Sequence, residues 1–287
     1  MKRTWILVVV LLGISVWSLA QSGGKPAAAG SSTGQAAAGQ AAAAPAGKRP
    51  PQAKTQPEFD AYKAAVALTD AAAQEKAADD FATKFPTSEL QVVLYKAAMQ
   101  KYQQANNGDK MMDMAHKALT FDPDDPEALL GVAQGLAEST HDTDLDKDQK
   151  TAEAKKDAER SLTTIDTDVP TSGYPPDQLE AFKNFLRSEA YFVLGTISFK
   201  AEKWADAETN LRKSIDVFPQ QPDTVCVFRL SVALDEQNKY ADALKYANQA
   251  VDMTKDRPDS GVGKAARDEK DRLQKLSGGT APGAAKP

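Results

Sequence analysis

The stretch from Ser188 to Pro219 leaves this chain little freedom of fold. Tyr191, Leu194, Ile197 and Ala201, then Ala207, Leu211, Ile215 and Phe218, recur at steps of three and four, which puts one apolar stripe on each of two short helices. Gly195 and Ala207 are small residues that let two such helices approach closely. A single helical hairpin cannot bury its stripe unaided, so the pattern requires stacked neighbours.

The pattern returns downstream. Placing Ala243 on Ala207 gives a step of 243 − 207 = 36, with Val227, Leu230, Ser231 and Leu234 on a first helix, Tyr240 in the turn, and Ala243, Ala247 and Ala250 on a second. Tyr191, Leu194, Gly195, Ala207 and Pro219, with Trp204 in the turn, resemble the signature of the tetratricopeptide repeat family, an exported bacterial member of it given the N-terminus described below; Ser198 and Leu211 stand where that signature has aromatics. The family unit is about 34 residues, and the extra length here falls in Pro219-Gln220-Gln221-Pro222. The resemblance implies an all-α fold, a right-handed α-α superhelix (solenoid) of about four to five helical hairpins plus a capping helix.

Composition agrees with helix-on-helix packing. Of the residues, 41% are hydrophobic but only 7% aromatic, alanine supplies much of the apolar share, and the alternating β-branched runs of strands are missing. The single cysteine, Cys226, excludes an internal disulfide and reads as a core residue. Two histidines, His116 and His141, leave little for a zinc site or a histidine-based triad. No enzyme, cofactor or metal site is expected.

The N-terminus has the order of a secretory signal. Lys2 and Arg3 precede an apolar run from Trp5 to Val16, and Ser18-Leu19-Ala20 offers small residues for cleavage, so residues 1–20 read as a signal peptide and the protein as periplasmic or secreted. The apolar run is shorter than the roughly 20 residues of a spanning helix, and no integral membrane segment is expected after cleavage. An uncleaved anchor is the alternative. Residues 21–56, rich in Ala, Gly, Pro, Gln and Ser, read as a disordered linker. The linker holds Lys25, Lys48, Arg49 and Lys54 and no acid, so from Pro57 onward 35 − 6 = 29 basic residues face 40 acidic ones, a net of −11. Such an acidic body does not suit nucleic acid.

Residues 57–276 read as the repeat domain. Phe59, Tyr62, Ala65 and Val66 form a first stripe, and a second runs from Ala73 to Lys84 after Asp70, which can cap it. A third helix over about 88–104 turns Leu94, Tyr95, Ala98, Met99 and Tyr102 inward, and a fourth spans about 110–120. Met99 and Met111 stand where small residues are expected, which predicts a looser pair. Asp125-Pro126-Glu127 opens a fifth helix with a capping side chain, a ring already at helical φ and an acid at the positive end of the dipole. Its partner is expected to be displaced by an insertion over about 140–176, containing a helix over about 150–164 and a loop from Thr167 to Pro176. A polar helix over about 265–276, with Ala265, Leu273 and Leu276 as its apolar contacts, reads as the cap, and 277–287 as a disordered tail.

Within that insertion Asp142, Asp144, Asp146, Asp148 and Glu153 fall at positions 1, 3, 5, 7 and 12 of a calcium-loop frame. Lys147 occupies the sixth position, where such loops need glycine, so the run is expected to be a solvated acidic segment.

The reading is therefore a non-catalytic protein-protein interaction scaffold of the bacterial cell envelope, holding a protein or peptide partner in the concave groove of the array. The family geometry lines that groove with the first helix of each repeat, which implies Gln100, Gln103, Gln134, Phe192, Thr196, Phe199, Phe228 and Val232, with Lys96 and Glu138 beside them. Two alternatives are kept: a structural spacer or tether without a dedicated ligand, and, further off, a calcium-binding repeat protein or an enzyme. Phe192, Phe199 and Phe228 are expected to form one exposed aromatic surface. Otherwise the 265–276 helix or the 167–176 loop covers them as a lid.

Overall fold

The computed structural model describes residues 47–171 and 175–278. The expected signal peptide, linker residues 21–46 and tail residues 279–287 lie outside the described residues. Eleven helices and no strand are found among the described residues: α1 (Gln56–Val66), α2 (Ala71–Lys84), α3 (Leu90–Gln104), α4 (Gly108–Phe121), α5 (Pro126–Ser139), α6 (Lys147–Asp168), α7 (Pro176–Lys200), α8 (Trp204–Val217), α9 (Thr224–Asp235), α10 (Tyr240–Met253) and α11 (Gly261–Gly278).

Each helix packs on the next in sequence, giving five antiparallel hairpins followed by α11. The odd-numbered helices also touch one another in order, α1 on α3, α3 on α5, α5 on α7, α7 on α9 and α9 on α11, and no comparable contact joins the even-numbered ones. This is a two-layer α-solenoid whose inner layer is continuous and whose outer layer is spread.

Three hairpins share one turn chemistry. Asn106, Glu202 and Asn238 are the non-glycine residues with positive φ among the described residues, at 55°, 55° and 59°. In each case the following residue donates its N–H back to the inner helix: Asn107 to the Tyr102 carbonyl, Lys203 to Ser198 and Lys239 to Leu234, all at 2.9 Å. These are left-handed helix terminations that satisfy carbonyls at the end of α3, α7 and α9 and reverse the chain into the outer helix.

The expected displacement of the fifth helix's partner does not occur. α6 packs along α5, with Ala154 and Ala158 in the main core and Ile165 and Val169 against Leu130, Leu186 and Ala190. The region 140–176 thus supplies the outer helix of the third hairpin. Its polar composition hid this, because small alanines suffice where two helices meet closely.

The looser α3–α4 pair is corrected as well. Those helices pack as extensively as the other hairpins. The bulk of Met99 is taken up across the inner layer by Gly131 of α5, where an added Cβ would lie 2.7 Å from the Met99 sulfur and 3.0 Å from Cβ of Ala115.

Linker residues 47–55 are not a free tether. Lys48 donates its backbone N–H to the Thr167 carbonyl at 2.9 Å and its ammonium to Asp122 at 2.5 Å and Asp168 at 3.4 Å. Arg49 forms a two-pronged pair with Glu89 at 2.5 and 2.7 Å, and the Lys54 ammonium donates to the Thr87 carbonyl at 2.6 Å. Lys48 and Arg49 therefore complement acids of the folded body. Where the segment enters α1, Glu58 is buried and accepts from the Ser88 hydroxyl and, at 2.7 Å, from the Lys54 N–H. Burial pulls its pKa up, but these donors outweigh that and hold the carboxyl below its ordinary value.

α11 covers α9 and α10 as the cap was expected to, with Ala266 and Leu273, seven apart, as its buried contacts. Ala265 is half-buried and Leu276 exposed, so the contact face lies one residue away from that expected at its start. Ser277 and Gly278 continue the helix rather than begin the tail.

At Gly195 the closest approach is real. A Cβ there would lie 2.7 Å from Cδ2 and 2.8 Å from Cγ of Leu211, with the Leu211 backbone nitrogen at 3.2 Å. Gly195→Leu is expected to cost roughly 1–3 kcal/mol by overpacking, against a gain in helix propensity of about 1 kcal/mol at most. Urea melts measure the difference, and a variant as stable as the parent would mean that α7 and α8 do not meet at this residue.

Candidate partner-binding face

The inner layer presents the residues expected to line a groove, but they divide into two groups. Gln100 is exposed, its amide 3.3 Å from Glu127, and Gln103 is half-buried, both on α3. Phe199 on α7, with Phe228 and Val232 on α9, are half-buried. Gln134, Phe192 and Thr196 are buried, Phe192 and Thr196 at 1% exposure.

The exposure expected of Phe192 is therefore corrected. Phe192 belongs to one buried cluster with Leu211, Leu230, Leu234 and Leu273, and Leu273 comes from α11. Phe228 packs against Val227, Ala250 and Ala266, the last again from α11. The three phenylalanines do not form one open surface, and α11 contributes to the cover, as the lid alternative has it.

Arg229 organises what remains. It is 9% exposed, its guanidinium carbon lies 5.5 Å from the Phe192 ring centroid and 5.9 Å from that of Phe199, and it donates to the Thr196 hydroxyl at 2.7 Å and to Glu138 at 3.2 Å. α5, α7 and α9 are thereby tied across the inner layer by one side chain, through ring stacking and charge-assisted hydrogen bonding. Next to it Lys200 donates to the carbonyls of Ala137, Glu138 and Thr140 at 2.7, 3.0 and 2.9 Å, closing the C-terminal end of α5. Burial pulls the Lys200 pKa down.

Arg229 did not figure among the expected site residues. The available signal was its place as the one charge in the run from Val225 to Leu234. A cation inside an apolar helix face must find partners on neighbouring elements.

At the other end of the face Lys96 is not a free groove residue. Its side chain is 17% exposed and donates to Asp125 at 2.8 Å and Glu127 at 2.6 Å. Burial would lower its pKa, but the two carboxylates overcome this and hold it well above the ordinary lysine value.

The acidic segment is arranged without a common centre. α6 begins at Lys147, so Asp148 and Glu153 stand on a helix rather than in a loop. Lys147 pairs with Asp142 at 2.6 Å, and Lys150 with Asp146 at 2.9 Å and Asp144 at 3.4 Å. Among the described residues no group of three or more His, Cys, Asp or Glu is placed to hold a metal ion, and no helix is long and apolar enough to cross a membrane. Cys226 is buried beneath the inner layer, and burial pushes its thiol pKa far up.

No protein-family model matches the sequence, and no curated protein matches it. Among solved structures the chain is similar to the assembly chaperone of RpL4, Acl4 (residues 1–338), with 15% identity over 77% of this chain and 99% of that one and a TM-score of 0.36. The two shapes superpose too loosely at that score for the likeness to carry a functional inference.

Proposed function

We propose that this chain is a tetratricopeptide-like scaffold, exported to the cell envelope, that binds a protein or peptide partner along its inner layer and carries out no catalysis. The supporting observation is the continuous inner layer, in which α1, α3, α5, α7, α9 and α11 touch in sequence and form a single face. Gln100 is exposed on it and Gln103, Phe199, Phe228 and Val232 stay partly accessible, a mixture of amide and apolar groups suited to a peptide backbone and its side chains. The order of charges and small residues in 1–20 supports export, and the acidic body disfavours nucleic acid.

Photo-crosslinking tests this reading. A photoreactive residue placed at Gln100 or at Phe228 in the full chain is expected to capture one same stoichiometric protein in the envelope fraction, while one placed at Lys155 on the outer helix α6 captures none. Equal or absent capture at all three places would favour the spacer reading instead.

A further inference from the structure

Residues 47–55 cross one edge of the solenoid against the direction of the chain. Gly47 and Lys48 lie at the end of α6, where a Cβ on Gly47 would meet Thr171 and the Val169 carbonyl and where the Lys48 N–H bonds the Thr167 carbonyl. The Lys48 ammonium also reaches Asp122, just after α4, while Arg49 holds Glu89 and Lys54 bonds the Thr87 carbonyl in the turn after α2. One short segment thus touches the C-terminal ends of the outer helices of the first three hairpins.

Two of the acids stand where acids are least stable. Asp122 caps the end of α4 and Asp168 ends α6, both at the negative end of a helix dipole, and their side chains are only 16% and 21% exposed. Lys48 is the cation between them. α4 and α6 share no packing contact comparable to those along the inner layer. This ammonium, with Arg160 on Asp124 beside it, therefore ties two helices that otherwise stand apart.

The two ends of the segment are held differently. Ala53 packs on the main core, the Lys54 N–H bonds the buried Glu58, and Thr55 caps α1. Lys48 and Arg49 are held by ion pairs and by the bond from the Lys48 N–H. Partly exposed pairs of this kind contribute little each and weaken with salt. Pro50 and Pro51 between the two ends favour an extended backbone whether docked or free.

We propose that residues 47–52 are an ionic strap hinged at Ala53: docked, it fixes the spacing of the outer-helix ends of the first three hairpins, and raised ionic strength releases it. The curvature of a solenoid's inner face follows from the small rotation between successive hairpins, so the strap sets the shape of the face around Gln100 and Gln103. That consequence for binding rests on the partner-binding reading; the strap itself does not.

Amide hydrogen exchange of the full chain, followed residue by residue by NMR, tests the strap. The Debye length is about 10 Å at 0.1 M NaCl and about 3 Å at 1 M, the latter comparable with an ion-pair separation. Over that range the Lys48 amide is expected to gain about tenfold or more in exchange rate relative to Lys54, whose N–H goes to Glu58. Spin labels on Thr83→Cys of α2 and Thr163→Cys of α6, both exposed, should give one narrow distance distribution at low salt that widens and shifts at high salt. Cys226 is buried and takes no label. Lys48→Met with Arg49→Gln should show the released pattern already at low salt, and Lys48→Arg the docked one. Unchanged exchange at Leu230 of α9 checks that the double variant is folded, and the salt series on the parent stands without it. The proposal is overturned by a Lys48 amide that exchanges at the open-chain rate at low salt, by protection indifferent to salt and to the double substitution, or by a label distance that stays put when the Lys48 amide is released. Protection that appears only as protein concentration rises overturns it too, since the segment would then dock on a second copy. Capture at Gln100 and Phe228 is measured separately, so a fixed distance beside a captured partner sinks the strap alone, and a released strap beside absent capture sinks the scaffold reading alone.

Discussion

Phe192→Ala is expected to lower the stability of the folded chain by about 3–5 kcal/mol, the range for truncating a buried phenylalanine. The ring is 1% exposed and belongs to one buried cluster with Leu211 of α8, Leu230 and Leu234 of α9 and Leu273 of α11, so its loss opens a core shared by several elements. Arg229, whose guanidinium stacks against this ring, would lose one of its two aromatic partners at the same time. Phe228→Ala should cost distinctly less, since that ring is only half-buried. Urea denaturation of both variants checks the order. If Phe192→Ala melted with the parent and Phe228→Ala did not, the placement of α11 over the inner layer would be wrong.

Why Phe192 escaped a reading of the sequence is instructive about solenoids. The stripe formed by Leu194 and Ile197 and the small residues Gly195 and Ala207 mark where α7 meets its own hairpin partner, and that contact repeats along the chain, so it is legible in one helix. An inner-layer helix is also flanked by the helices before and after it in the array. The face that Phe192 and Thr196 share is met by Arg229 of α9, an element that no spacing within α7 can reveal. The same reason hid Met99 against Gly131, a contact between hairpins. The α5–α6 contact lies within one hairpin and was hidden instead by the polar composition of α6, whose core contacts include the small Ala154 and Ala158. Caps were easier, being local: Asp70 and Asp125, read as caps from the sequence, each accept the N–H three residues on. Asn107 and Asp223 cap α4 and α9 in the same way without having been singled out. The ordered segment 47–55 lies at the opposite extreme, since its pairing with Asp122, Asp168 and Glu89 depends wholly on where the fold brings those acids.

Lys96→Met is expected to cost about 3 kcal/mol, the lower end of the range for breaking a buried ion pair from one side, because the lysine keeps 17% of its side-chain exposure. The methionine replaces most of the stem's packing, so the loss isolates the charge. Asp125 divides its two oxygens, one accepting the Ala128 N–H at 2.9 Å as the cap of α5 and the other accepting Lys96. Without the ammonium, two carboxylates face each other at the start of α5, 8% and 19% exposed. Glu127→Gln in the Lys96→Met background should recover part of the loss by removing that repulsion, a coupling that a double-mutant cycle reads directly. The sign of the pH dependence follows from a pKa held above the ordinary 10.5. The lysine's contribution is complete below that value and fades only as pH rises through the higher folded one, so the parent should lose this stabilisation in strong alkali and the variant should have none to lose. A Lys96→Met chain as stable as the parent at neutral pH would reduce the triad to a solvent-screened surface pair, worth about 0–1 kcal/mol, and would free this end of the inner layer for a ligand.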